Sequence, residues 1–348
     1  MSIATPSRWF VLCTAIPTQG EIVMNDAESP NIAVAIMRNI FHVSDVHSCI
    51  ERLQSENEPL RSTYARMLLL GPKRLQVRPA RTPQMMHLYE ELPNFTEVLD
   101  DVKRQLALCQ DSQDGLEIAP MLLLGPPGIG KTHFARELAD LFGTGMGFVS
   151  MSSLTAGWIL SGASSQWKGG RPGKVFETLV HGDYANPVMV VDEIDKAGGE
   201  TAYDPLGSLY SLLERDTAQN FVDEFADVPI DASQIIWVAT ANEARYIPKP
   251  ILDRVHVFEI EAPDASAARS VARRLYVQIR TTHKWGEGFD PEPSDDVLDC
   301  VSLLSPRTMR GAWMTAFGNA KLDNRSRLMP KDLPSTKGKR STMGFVAQ

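Results

Sequence analysis

The run Gly125-Pro126-Pro127-Gly128-Ile129-Gly130-Lys131-Thr132 places three glycines, a lysine and a hydroxyl within eight positions. Glycine lets successive backbone N–H groups turn toward one point, and such a nest attracts an anion. Lys131 adds a mobile ammonium, and Thr132 an oxygen suited to a hard cation. Together they have the chemistry for gripping a polyphosphate, in the G-x4-GK[ST] register. Met121–Leu124 before the run reads as a buried strand. Phe134, Leu138, Leu141 and Phe142 after it recur at helical spacing, so the context is strand, loop, helix. The helix start contributes its own partial positive charge. Gly125–His133 are therefore expected to cradle the phosphates of ATP. Lys131 is expected to reach the β- and γ-phosphates, and Thr132 to ligate Mg²⁺.

Hydrolysis needs a second constellation, and Val188-Met189-Val190-Val191-Asp192-Glu193 supplies it. Four apolar residues predict a central strand that ends in two carboxylates. Asp192 is expected to hold Mg²⁺ through water, and Glu193 to orient and polarise the attacking water as general base.

These residues need a scaffold. Met121–Leu124, Phe148–Met151, Val188–Val191, Ile235–Ala239 and Val255–Ile260 are short apolar runs. The segments 131–142, about 173–181 and about 204–215 read as helices among them. The alternation predicts an α/β fold, a parallel sheet flanked by helices with ligands at the carboxyl ends of the strands. Phe95–Leu108 predicts a further helix. Beyond Pro263 the pattern is all-helical: a stripe from Ala268 to Ile279, then Asp295–Leu304, then a helix opened by Ser305-Pro306 and carrying Met309, Trp313 and Phe317. Upstream, Ile32 to Leu75 reads as mostly helical, with Ile32, Ala35, Ile36 and Ile40 as its first stripe. The expected organisation is an N-terminal helical region 1–82, an α/β domain 83–262, a helical lid 263–325 and a flexible tail 326–348.

A net charge of −8 argues against general affinity for nucleic acid. Arg61 to Arg81, with six basic residues and no acid, is the local exception: a solvated helix face and linker, or a contact for a partner. Cys13, Cys49, Cys109 and Cys300 are dispersed, which suggests a reducing compartment, and His42, His47 and Cys49 read as one helix rather than a metal site. No apolar run approaches the roughly 20 residues of a membrane span. Trp9–Ile16 is too short for a signal core, and Met24 is an alternative start. The expected compartment is the cytoplasm, with no membrane partner.

The Asp192-Glu193 pair, the strand Ile235–Asn242 and Leu252-Asp253-Arg254 resemble AAA+ ATPases, a branch of the P-loop NTPases. Gly125–Thr132, Trp167–Lys174, Pro187–Lys196, Asp204–Glu214 and Ile247–Arg254 resemble the ATPase module of Lon-type proteases, in the same order and at similar spacing. The likeness runs from about Leu92 to Phe317. It implies that Asn242 is the sensor-1 residue and Arg254 an arginine finger for a neighbour's nucleotide. Arg307 would be sensor 2, with Arg310 as the alternative. It also implies a ring, hexameric in this family, that acts on protein substrates. Trp167 and Lys168 would stand on the loop lining its pore, although the family's usual residue there is tyrosine and its neighbour is apolar. About 30 residues follow the last helical segment, so the family's Ser–Lys peptidase domain is not expected here, and a separate peptidase is a possible partner. Pro330–Ser335 superficially resembles the segment around that peptidase's serine. Two other readings stay open: a nucleic-acid remodeller or loader, supported by the basic stretch 61–81, and an ATP-binding switch that hydrolyses little.

Overall fold

The computed structural model describes residues 11–12, 33–53, 57–80, 85–109, 115–153, 158–197 and 206–334. Met24, Arg81, Ser335 and the start of the helix expected from about residue 204 lie outside these. The chain divides into two compact units. One gathers Met1–Tyr89, Phe95–Pro127 and Lys131–Glu261; the other gathers Glu90–Asn94, Gly128–Gly130 and Ala262–Gln348.

In the first unit, β1 (Val11–Leu12) pairs in parallel with β2 (Ala33–Asn39), and β2 pairs antiparallel with β3 (Lys73–Pro79). Helices α1 (Val43–Arg52) and α2 (Glu58–Leu70) lie between β2 and β3 in sequence. β2 is a correction, since the spacing of Ile32, Ala35, Ile36 and Ile40 predicts helix there. Val34 and Ile36 also fit a two-residue alternation. Pairing over all seven residues with β3 satisfies backbone groups that so short a helix would leave open at its ends. α2 starts where its sequence directs: Asn57 Oδ1 accepts the Leu60 N–H at 3.2 Å, and Pro59 occupies the first turn.

After α3 (Met86–Glu91) and α4 (Thr96–Leu108) comes the nucleotide-type core. Its strands are β4 (Met121–Leu124), β5 (Met146–Ser150), β6 (Val188–Asp192), β9 (Ile236–Ala241) and β10 (His256–Glu259). They form a five-stranded parallel sheet in the order β10-β4-β9-β6-β5. Helices α5 (Lys131–Phe142), α6 (Trp158–Ser161), α7 (Lys174–Val180), α8 (Leu209–Leu212), α9 (Arg215–Ala218) and α10 (Lys249–Leu252) intervene. A short antiparallel pair, β7 (Phe221–Val222) and β8 (Pro229–Ile230), precedes β9. Leu122, Val188, Met189, Val190 and Val238 are fully buried, because helices cover both faces; this is why these strands read as unbroken apolar runs. β9 lies between β4 and β6, so the order of the sheet alone brings together the carboxyl ends of all three.

The second unit is built from α11 (Ala265–Thr282), α12 (Asp295–Ser302) and α13 (Pro306–Leu322). Asp264 caps α11, accepting the Ala267 N–H at 2.8 Å. Tyr276 stacks on Phe317 with ring centroids 5.0 Å apart, and the Trp313 indole N–H donates to Ala272 O at 2.9 Å. Residues 326–334, expected to be flexible, are folded. Arg325 grips Asp332 with two bonds of 2.8 and 2.6 Å, and Asp332 is 2% exposed and also accepts the Met329 N–H. A bidentate guanidinium–carboxylate pair orders a segment whose composition alone reads as loose. It also holds Pro330–Asp332 in a short turn; Ser335, the serine of the peptidase-like segment, lies outside the described residues.

Candidate functional site

The loop from Gly125 to Gly130 joins β4 to α5, and Gly128 and Gly130 hold φ of 82° and 107°. A side chain disfavours that conformation, which turns the N–H groups inward. α5 is then anchored by Phe134, stacked on Phe95 at 4.9 Å between ring centroids. Lys131 in its first turn is 8% exposed, and its ammonium donates to Gly125 O at 2.5 Å, Pro126 O at 3.0 Å and Asn242 Oδ1 at 3.1 Å. Burial pulls the Lys131 pKa down, against the pull of Asp192, Asp195 and Glu193. His133 stands in the same turn and faces Glu137 at 3.6 Å.

Asp192, at the end of β6, is where the site closes. Its Oδ1 accepts from Thr132 Oγ1 at 3.0 Å and from Thr240 Oγ1 at 2.7 Å. Glu193 follows with φ 57° and ψ 50°, the left-handed region, and its N–H donates to Thr240 Oγ1 at 3.0 Å. A left-handed glutamate costs on the order of 1–3 kcal/mol and persists only where its surroundings enforce it. Two hydroxyls and a carboxylate within 3.0 Å form an all-oxygen donor set beside a buried ammonium. That set fits Mg²⁺ and a polyphosphate.

Thr240 escaped the sequence reading although a signal was present: it is a hydroxyl inside the otherwise apolar strand β9, 0% exposed, and a buried hydroxyl needs partners. It holds both acids at once, the side chain of Asp192 and the backbone of Glu193. Thr240→Val keeps the shape and removes both bonds, so a loss of about 1–2 kcal/mol is expected in urea unfolding; an unchanged midpoint would show the bonds to be idle. Asp195 is a second omission. It accepts the Glu243 N–H at 3.3 Å and so ties the segment after Asn242 to β6's exit.

Other candidates stand elsewhere. Arg254, just after α10, pairs with Glu214 of the same chain at 2.7 Å and donates to Pro250 O at 2.6 Å. Arg307 is exposed at the start of α13 in the second unit, where its backbone N–H donates to Gly128 O, grouped in that unit, at 3.3 Å. Arg310 is exposed one turn later. Trp167 is 50% exposed on the loop between α6 and α7, with Lys168 exposed beside it. Two of the basic residues between 61 and 81 are occupied by backbone carbonyls: Arg74 is buried against Leu179 O and Val180 O, and Arg78 donates to Cys109 O at 2.6 Å.

At the base of the Trp167 loop lies Asp223, 0% exposed. It accepts backbone N–H groups from Gly173 at 2.7 Å and from Phe225 and Ala226 at 3.0 Å each. Burial pushes its carboxyl up to about 6, outweighing the three donors that favour the charged form. The folded protein therefore holds this proton more tightly than the unfolded chain, and stability falls as pH rises through the interval up to about 6. Between pH 5 and 7, wild type is expected to lose about 1 kcal/mol relative to Asp223→Asn. Urea midpoints at the two pH values measure it; parallel slopes would refute it.

Residues 121–262 match the ATPase family associated with various cellular activities, AAA. A mitochondrial Lon protease homolog of Phaeodactylum tricornutum is 35% identical over 185 residues, 53% of this chain and 21% of that protein. The mitochondrial Lon protease homolog of Rattus norvegicus is 34% identical over 158 residues, 45% of this chain and 17% of that one. A Lon protease of Clostridium beijerinckii is 31% identical over 175 residues, 50% and 22% respectively. The chain thus spans about a fifth of the length of these relatives. Among solved structures, the RuvB Holliday junction branch migration motor of Thermotoga maritima is similar at 16% identity, over 68% of this chain and 66% of that one, with a TM-score of 0.46. Among the described residues no helix is long and apolar enough to cross a membrane. With the match, the phosphate-type loop and the parallel sheet in agreement, the chain carries a P-loop AAA domain homologous to the AAA region of Lon proteases.

Proposed function

We propose that this chain hydrolyses ATP in a ring of its own copies, six by family resemblance, and uses the energy to unfold, translocate or remodel polypeptides. The observation that carries the reading is the meeting of Thr132 Oγ1, Thr240 Oγ1 and Asp192 Oδ1 within 3.0 Å, beside the Lys131–Asn242 contact of 3.1 Å. In this reading Gly125–His133 and Lys131 hold the phosphates. Thr132 and Asp192 would hold Mg²⁺, the latter through water, and the ion when bound neutralises charge on the phosphate oxygens. Glu193 takes a proton from the attacking water, and Asn242 orients the γ-phosphate end as sensor 1. Arg254 acts on the neighbouring subunit's nucleotide, and Arg307 on its own.

Trp167 and Lys168, exposed on a loop that includes Gly169 and Gly170, are the residues offered to a polypeptide in the pore. A flat aromatic side chain grips extended chain with little regard for sequence, as base-independent stacking does in other systems. The similarity to the AAA region of Lon proteases supports a protein substrate, and a separate peptidase as partner belongs to the same proposal. Three described cysteines, Cys49, Cys109 and Cys300, are free thiols, in keeping with a cytoplasmic location.

The test is ATP turnover per subunit against protein concentration, alongside the mass of the assembly by ultracentrifugation. Turnover that rises as the chain assembles supports the reading. Full turnover by the monomer would sink it.

A further inference from the structure

The N-terminal helices α1 and α2 lie outside the matched family segment, and the site described above assigns them no role. Their side chains nevertheless reach one place. Asn57, which caps α2 through Oδ1, turns its Nδ2–H to Ser165 O at 3.0 Å, two residues before Trp167. Tyr64 on α2, 2% exposed, donates its hydroxyl to Ala226 O at 2.9 Å, and Cys49 on α1 donates its thiol to Asp227 O at 3.2 Å. Ala226 and Asp227 belong to the turn that Asp223 organises, and Asp223 in turn accepts the Gly173 N–H at the far end of the Trp167 loop.

The near end converges on the same carboxylate. Gly162 holds φ 86°, and a Cβ there would come within 2.7 Å of Asp223 Oδ1, so the backbone can pass only as glycine. Ser161 O accepts the Glu224 N–H at 2.7 Å, and the neck of the loop is closed by Ala163 N–H to Arg171 O at 3.0 Å. The segment 162–173 is therefore bonded to Asp223 at its far end, held at its near end by the Glu224 N–H on Ser161 O with Gly162 passing close to the same carboxylate, and touched in its middle by Asn57, while its tip stays exposed.

We propose that the α1–α2 pair is the positioning brace of the Trp167 loop, acting through Asn57 on Ser165 and through Tyr64 and Cys49 on the 223–227 turn. Asn57, Tyr64 and Asp223 are positioning residues: they fix where the tip stands and how much of an applied load its base can bear. The function assigned to this brace rests on the reading that Trp167 contacts a polypeptide; the brace itself does not.

The experiment uses the full chain with Asn57→Asp and Tyr64→Phe. Asp still accepts the Leu60 N–H as a helix cap but cannot donate to Ser165 O, and Phe removes only the hydroxyl. Deuterium exchange of peptides spanning 161–173 reports on the amides of Ala163, Trp167, Gly170 and Gly173, each bonded in the intact loop. Exchange there is expected to quicken about fivefold, as the loss of one hydrogen bond implies, with basal ATP turnover within about twofold of wild type. Stimulation of turnover by an unfolded probe, carboxymethylated lactalbumin, is expected to require a severalfold higher probe concentration. Unchanged exchange at 161–173 in both variants overturns the brace, even if Trp167→Ala abolishes stimulation. Quickened exchange in a protein that the probe never stimulates upholds the brace and refutes polypeptide contact instead. Should Tyr64→Phe fold poorly, Asn57→Asp at its partly exposed position decides the matter alone.

Discussion

Glu193→Gln is expected to lower ATP turnover by about 10²–10⁴-fold, the usual worth of a positioned general base, and to leave nucleotide affinity within about threefold. The amide matches the carboxylate in size and can still hold a water, but it cannot take its proton. The backbone argues for a dedicated role. Glu193 keeps φ 57° and ψ 50° at the exit of β6, held by Thr240 through its N–H, where a glycine would fit without strain. Strain of this kind clusters at functional sites, and the substitution tests whether the carboxylate is its reason here. The same reasoning expects Glu193→Gly to be at least as heat-stable as wild type while equally inactive. Turnover by Glu193→Gln within about twofold of wild type would remove Glu193 from the proton path and leave Asp195 to be tested next.

Arg254→Ala is expected to cost about 10³–10⁵-fold in turnover if its guanidinium completes the neighbour's site. Within its own chain Arg254 pairs with Glu214 at 2.7 Å, with both side chains partly exposed at 28% and 46%. An ion pair of that exposure is worth about 0–1 kcal/mol, so releasing the arginine to another subunit is cheap. Glu214→Gln should therefore leave turnover nearly intact, whereas Arg254→Ala should not. Mixing separates action across subunits from action within one. Arg254→Ala chains retain a complete Glu193 site, and Glu193→Gln chains retain the arginine. Blending two inactive proteins should restore part of the activity in mixed rings. No recovery, in mixtures shown to exchange subunits, would confine Arg254 to its own chain and return the Glu214 pair to a structural role.

The clamp at Asp223 and the cluster at Asp192 show where reading a sequence succeeds and where it stops. Gly125–Thr132 was legible because its chemistry is contiguous: loop, lysine and hydroxyl are set by local geometry and by the helix start that follows. The central strands β4, β6 and β9 were legible because burial on both faces leaves an unmistakable apolar run, and the half-exposed edge strands β5 and β10 by the shorter apolar runs at either side. Asp192-Glu193 was legible by its position at the end of such a run. β2 was not, since Ile32, Ala35, Ile36 and Ile40 fit a helix while Val34 and Ile36 fit a strand, and only pairing with β3 decides between them. The turn at Pro330–Asp332 was hidden for a related reason: its order comes from Arg325 and from the packing of Asp332, neither of which composition records.

Local sequence was enough for the glycine-rich loop, the acid pair at the end of β6 and the strands of the parallel sheet, because each follows from neighbours within a turn or a strand. Tertiary structure was needed for Asp192 at the end of β6 to meet both Thr132 of α5 and Thr240 of β9, for Asp223 to bind Gly173 fifty residues away, and for Asn57 to reach Ser165 at a separation of 108. Each of those bonds satisfies a polar group wholly or partly buried by the fold, and which partner is near enough to do so is fixed by the order of the sheet and the packing of the helices, not by distance along the chain.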